Sequence, residues 1–409
     1  MPTAALEVAA IFRDHGPAWR AANAGHISLD QLKVMSAIER CQTAALGGHV
    51  AQCENESCSH TLIVYNSCRN RHCTQCQAAA SRKWLAAREA EVLPVGYFHL
   101  VFTLPAPLRD IAYQNKAVIY GLLMQTAADA TLTIAADPKR LGARIGVTAL
   151  LHTWGSALTH HPHVHMHMLV PGGGISTDGE RWVSSRSNFL VHVRVLSRLF
   201  RGRMLARLVE AHTEGRLQFF GEHAALADRR EFKRFLAPLR DIEWVVDGRA
   251  PFAGPEQVLR YLSRYTHRVA ISNRRLVSAD EEAIAFRWKD YRVESADRWK
   301  TMRLPPHEFM RRFLLHVLPK GFHRIRHYGL FANTNRVNDI ARARELLGAA
   351  PRVVEPDDKT VPAPGEPRVL PCPCPRCGSR MIVIETFPRG CEPSWRPTRP
   401  SRSIRIDTS

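Results

Sequence analysis

Acidic side chains are scarce in this chain: 38 Asp and Glu stand against 57 Lys and Arg, a formal net charge of +19. That imbalance says little about fold but favours a polyanionic partner, of which nucleic acid is the usual one. An anionic membrane surface would call for an amphipathic helix or lipid anchor, and the sequence offers neither. Apolar runs of the ~18 residues needed for a membrane span are missing. The first residues, MPTAALEVAAIFRDHG, lack the basic end and small-residue cleavage site of a signal peptide. The expected location is therefore the cytoplasm, with no membrane partner. GxxxxGK[ST] does not occur, so no nucleotide cofactor is expected, and HExxH is also missing. Cysteine is absent from the whole middle of the chain. Six cysteines lie between Cys41 and Cys76 and four between Cys372 and Cys391. A small disulfide-rich secreted scaffold is excluded by length, so the end clusters read as metal sites.

What is present suffices for a substantial core. The chain has 409 residues, 45% of them hydrophobic, which allows two or three domains. SLDQLKVMSAIER, residues 28–40, predicts a short helix with Ser28 as N-cap. A helix is expected over 83–93, and YFHLVFTLP, 97–105, predicts a strand ending at Pro105. A long helix follows over roughly 107–136, then strands over 144–154 and 162–174 and a basic helix over 190–212. Residues 243–251 predict a strand and 255–269 a helix with Pro255 in its first turn. Short strands around 270–292, a helix over 307–318 and a strand over 322–331 complete the pattern. Residues 351–375 are proline-dense and read as a stiff linker, and the basic end reads as disordered. The expected parts are residues 1–92 with a zinc module, 93–345 carrying the chemistry, and 346–409 with linker and tail.

Cys53 and Cys58 have four residues between them, and Cys73 and Cys76 form a CxxC. Such spacings bend a chain so that paired thiolates meet one tetrahedral Zn²⁺. Cys41, His49, Cys68 and His72 are left over, the right number for a second zinc. Near the other end, CPRCG supplies Cys374 and Cys377 with a turn-forming glycine, a zinc-knuckle shape. Cys372 and Cys391 are the candidates to complete a third site, because a second CxxC is missing there. Arg69, Arg71, Arg82 and Lys83 run through the first cluster and suggest contact with DNA; for any one of them a solvated charged face is the competing reading.

In HHPHVHMHML, residues 160–169, imidazoles recur at 163, 165 and 167. Strand side chains have a period of two, so these share one face, where neutral imidazoles can hold one cation. In RYLSRYTHR, 260–268, Tyr261 and Tyr265 lie four apart on one helical face, beside a stripe of Arg260, Arg264 and Arg268. Phenols beside guanidinium groups suit attack on a phosphodiester, while core packing of the two tyrosines is the plainer alternative.

Taken in order, the zinc-binding front end, FTLP, HTWGSALTHHPHVHMHMLVPGGG and YLSRYTHRVAISN resemble the IS91-family transposases, including common-region elements, within the wider HUH endonucleases. The resemblance runs over roughly residues 25–335. Its metal-binding triplet falls on His163, Val164 and His165, and its tyrosine pair on Tyr261 and Tyr265. His167 shares the histidine face and could compete for metal. The third ligand has no clear match, with His99 and His267 as candidates.

The resemblance implies an α+β fold: a five-stranded antiparallel sheet flanked by helices, with the histidines on a central strand. It implies Mg²⁺ or Mn²⁺ at the histidines, structural Zn²⁺ at the cysteine clusters, and single-stranded DNA with hairpin ends of a mobile element as substrate. It further implies strand cleavage through a 5′-phosphotyrosine, with Arg264 and Arg268 aiding catalysis and Arg260 binding DNA. The alternative is a non-catalytic, zinc-containing DNA-binding protein.

Overall fold

The computed structural model describes residues 6–89, 91–187, 190–249, 270–290, 293, 296–349, 368–370 and 372–395. Two helices come first, α1 (Val8–Ala22) and α2 (Leu29–Arg40). Ser28 caps α2 as expected: its hydroxyl accepts from the Gln31 N–H at 3.2 Å, and the Gln31 side chain accepts from the Ser28 N–H at 3.0 Å. Strands β1 (Gly48–Cys53) and β2 (Thr61–Tyr65) follow, then α3 (Gln77–Glu89) and β3 (Tyr97–Thr103).

The helix expected over 107–136 is two, α4 (Arg109–Gln114) and α5 (Lys116–Ala136). Asn115 leaves helical geometry at the break, and its amide bonds both the N–H and the C=O of Gln218 at 2.7 Å. A buried amide satisfied across the chain outweighs one more helical residue. Next come β4 (Ala143–Arg144), β5 (Gly146–Trp154), β6 (His160–Pro171), β7 (Gly173–Ser176) and β8 (Trp182–Ser184). They are followed by α6 (Val193–Thr213), α7 (Arg229–Leu236) and β9 (Val246–Arg249). The remaining elements are β10 (Leu276–Ala279), β11 (Ile284–Lys289), β12 (Trp299–Leu304), α8 (Pro306–Leu315), β13 (Ile325–Gly329), α9 (Arg336–Leu346) and β14 (Met381–Phe387).

The architecture is α+β, centred on a five-stranded antiparallel sheet in the order β13-β5-β6-β3-β9. Strand β6 is its middle. Val164, Met166, Met168 and Val170 point from β6 into one core with Phe98, Leu100 and Phe102 of β3, covered by α5 and α6. His165, His167 and Leu169 occupy the opposite face. Helix α5 is, contrary to the expectation that no such run exists, long and apolar enough by composition to cross a membrane. Its Leu123, Met124, Ala127 and Ala128 are fully buried in this core.

PGGG after β6 has a steric reason. Gly173 has φ +151°, and a Cβ there would lie 2.5 Å from the Val183 carbonyl oxygen. A Cβ on Gly174 would lie 2.3 Å from that of Arg144. Only glycine lets β4, β7 and β8 approach so closely.

A second core joins the chain's beginning to its later part. Val8, Phe12, Met35 and Ile38 of α1 and α2 pack with Phe286, Phe309 and Phe313. The segment expected as a separate tail is built into the front end: β14 pairs antiparallel with β1, giving a sheet in the order β14-β1-β2.

Candidate functional site

Register brings the imidazoles together. Strands β5 and β6 place His152 directly opposite His165, and β3 places Val101 opposite His167. On β5, Val147, Ala149 and Leu151 turn into the core, so His152 turns toward the histidine face. His165 Nε2 lies 2.8 Å from His152 Nδ1, and His167 Nε2 lies 3.3 Å from the same atom. His99 Nε2 lies 2.8 Å from His167 Nδ1, with the two rings stacked. One ligand nitrogen from each of His152, His165 and His167 falls within 4.8 Å of the others.

A cation about 2.1 Å from each nitrogen needs ligand atoms roughly 3.0–3.4 Å apart, so small ring rotations suffice to admit one. The protonation states fit as well. Burial pushes His167 down to about 2, aided by His165, His99 and Arg249. Burial also pushes His99 down to about 4, with Arg249 adding to it. Both rings are therefore neutral near pH 7, the state that binds metal. Three nitrogen donors suit Mn²⁺ better than Mg²⁺, which prefers oxygen. Trp154 lies edge-on to His152 at 4.4 Å between ring centroids, and the buried Arg324 stands over Trp154 at 5.2 Å.

This trio differs from the expected pairing of His163 with His165. His163 lies in β6, but its side chain is outside the described residues. His167, expected as a competitor, is a member of the trio. His152 was missed, although HTW was part of the motif that carried the resemblance; only the pairing of β5 with β6 reveals it. Tyr261, Tyr265, Arg260, Arg264, Arg268 and His267 also lie outside the described residues.

The cysteines form two sets of four, and the expected pairings are corrected. Cys41, Cys68, Cys73 and Cys76 converge in one, Cys53, Cys58, Cys374 and Cys377 in the other. In the first set, Cys76 Sγ lies 3.6 Å from Cys41 Sγ and 3.7 Å from Cys68 Sγ. In the second, Cys53–Cys377 is 3.4 Å and Cys58–Cys374 is 3.8 Å. Tetrahedral Zn²⁺ with bonds near 2.3 Å requires sulfurs about 3.8 Å apart, so both sets fit zinc.

The turns are those of zinc knuckles. Gln42, Ser59, Arg69 and Gly378, each just after a ligand cysteine, all have positive φ. Cys68 N–H donates to Cys41 Sγ at 3.4 Å, as such turns allow. Thiols this close cannot all ionise unaided: their mutual contacts push Cys76 down and Cys41 and Cys73 up. A bound cation removes that conflict. Cys377 is drawn down to about 6, chiefly by the Ser379 hydroxyl and backbone N–H.

His49 and His72 are not in either set. His72 instead accepts from the Leu318 N–H at 3.3 Å, and burial pushes it down to about 3. Cys372 and Cys391 are also outside both, since Cys53 and Cys58 supply the pair that CPRCG lacks. The second set is thus drawn from distant parts of the chain rather than from a separate end module.

The basic residues of the front end divide. Arg71 is exposed but donates to the Phe322 carbonyl, a structural contact. Arg82 and Lys83 stand exposed on α3. Arg69 borders a groove of about 750 Å³ together with Lys33, Arg40 and Arg389.

Comparison with known proteins finds two family matches. One family is described as "Transposase zinc-binding domain" and matches residues 11–104; the other, "Putative transposase", matches residues 146–338. The chain is 52% identical over 388 residues to "Putative transposase y4qJ" of Sinorhizobium fredii, covering 93% of this chain and 95% of that one. It is 27% identical over 360 residues to "Transposase for insertion sequence element IS801" of Pseudomonas savastanoi pv. phaseolicola, covering 86% and 83%. No solved structure matches.

Proposed function

The chain belongs to the IS91 family of transposases, and from that premise we propose that it cuts and rejoins single-stranded DNA of a mobile element by rolling-circle transposition. The observation that carries this reading is the group of three imidazoles on the middle strand and its neighbour in a five-stranded antiparallel sheet. A divalent cation held by His152, His165 and His167 would supply charge neutralisation at the scissile phosphate. Tyr261 or Tyr265 is the nucleophile. Its phenol, ordinarily with a pKa near 10, loses its proton as the oxygen bonds to phosphorus.

The P–O3′ bond breaks, the leaving oxygen takes a proton, and the products are a 5′-phosphotyrosine and a free 3′-OH. One phosphodiester is exchanged for another, so no nucleotide is consumed. Arg264 and Arg268 hold the phosphate, and Arg260 extends the grip along the backbone. Two tyrosines permit successive cleavages at the two ends of the moved strand without release of the first.

Covalent trapping tests the reading. The protein is incubated with labelled single-stranded element ends and Mn²⁺, then run on a denaturing gel. The expected result is a protein–DNA adduct that vanishes in the Tyr261→Phe, Tyr265→Phe double variant. DNA binding without any adduct, across all metal concentrations, would leave the zinc-containing binding protein as the better reading.

A further inference from the structure

The sheet β10-β11-β12 has one face packed and, among the described residues, one face open. Ile284, Phe286 and Leu304 turn inward onto Phe309 and Phe313 of α8, with Leu276 and Met302 beside them. On the other face the register pairs Lys289 with Trp299, Arg287 with Thr301 and Ala285 with Arg303. Arg287, Trp299, Thr301 and Arg303 are exposed, Trp299 by 55%. These paired positions carry three cations, an indole and no carboxylate. Of the nearby acids, Asp280, Glu281 and Glu282 lie in the β10–β11 turn at the Arg303 end, while Asp290 and Asp297 lie at the Trp299 end, Asp290 paired with Lys300 at 2.9 Å. Asp280 is engaged there by the N–H groups of Glu282 and Ala283 at 3.0 and 2.7 Å.

The opposite end of this face is fastened to the histidine strands. The Ser156 hydroxyl donates to the Lys289 carbonyl at 2.5 Å. Arg275 donates to the Arg287 carbonyl at 2.7 Å and to the Ser156 carbonyl. Ser156 lies in the loop joining β5, which carries His152, to β6, which carries His165.

We propose that this open face is a platform for single-stranded DNA flanking the histidine centre: Trp299 stacks on a base while Arg287, Lys289 and Arg303 meet successive phosphates. Alternate positions on a strand repeat every ~6.6 Å, so the cations form a row rather than a cluster. A duplex hides its base faces and offers the indole nothing to stack on, whereas every unpaired base does. The proposal rests on the single-strand reading given above.

The test is binding of a fluorescein-labelled oligodeoxythymidine, followed by anisotropy in the Tyr261→Phe, Tyr265→Phe background, where no covalent capture occurs. Trp299→Ala weakens binding roughly 5- to 100-fold, while Trp299→Phe keeps stacking and stays within about threefold. Arg287→Ala with Arg303→Ala lowers the slope of log affinity against log salt by about 0.7 per lost phosphate contact. Thermal midpoints stay at the parent value, because these side chains point away from the core. The inference is overturned if Trp299→Ala binds within about threefold of its parent, or if duplex binding weakens equally. A parent protein that never forms an adduct, yet loses oligonucleotide binding with Trp299→Ala, would refute strand transfer while leaving the platform standing.

Discussion

At the scale of single residues, His152 carries the most consequence. Replacing it with alanine should cut Mn²⁺ affinity by more than about 10-fold, read by calorimetry, and suppress the DNA adduct. Unchanged Mn²⁺ binding would remove it from the metal group. That His165 and His167 share one face was legible in the alternation of HHPHVHMHML, though the pairing expected there was His163 with His165. The place of His152 beside them was not, because no local pattern says which residue of a neighbouring strand will stand opposite.

Two other histidines, His72 buried and His327 half-buried, give a pH signature. Burial pushes His327 down to about 4, with Arg88 adding to it, and His72 down to about 3. Their ordinary value is 6.5, so between there and about pH 4 the unfolded chain binds protons that the fold does not. Stability is therefore present above pH 6.5 and falls as pH drops through that window, by up to about 1.4 kcal/mol per group per pH unit. Thermal midpoints at pH 7 and pH 5 check this; His327→Gln should flatten the difference.

Among the elements, close backbone approach and inter-element packing make the sharpest predictions. Gly174→Ala forces a Cβ onto the Arg144 carbonyl and should destabilise the β4-β7-β8 sheet, lowering the midpoint in a thermal melt. A melt unchanged by that substitution would mean the backbone there yields. Phe313 packs edge-to-face on Phe12 at 5.2 Å, joining α8 to α1, and Phe313→Ala should cost about 3–5 kcal/mol in chemical denaturation. Most strands and helices were legible from periodicity and caps, as Ser28 and β3 show. The break at Asn115 was not, since its cause is a hydrogen bond to Gln218 rather than a helix-stopping residue. Helices α1, α7 and α9 had no counterpart in the sequence analysis.

For the molecule as a whole, the cysteine connectivity matters most. Spacing picked out the eight cysteines that converge but assigned them to neighbours in sequence. The structure instead joins Cys58 to Cys374 across 316 residues and Cys53 to Cys377 across 324. Spacing encodes the local bend of a knuckle and carries no information about the far half of a site. Elemental analysis should find two zinc ions per chain, falling to one in Cys374→Ser, Cys377→Ser with the first set intact. A count unchanged by that pair would separate the two ends again.

This arrangement also constrains synthesis. A ribosome makes about 5–20 residues per second, so roughly 16–63 seconds pass between translating Cys58 and reaching Cys374. Throughout that interval the nascent front end has β1 without β14 and half a metal cage. The module encoded early is thus among the last to be finished, and a stalled nascent chain released before residue 374 should retain one zinc where the complete chain retains two.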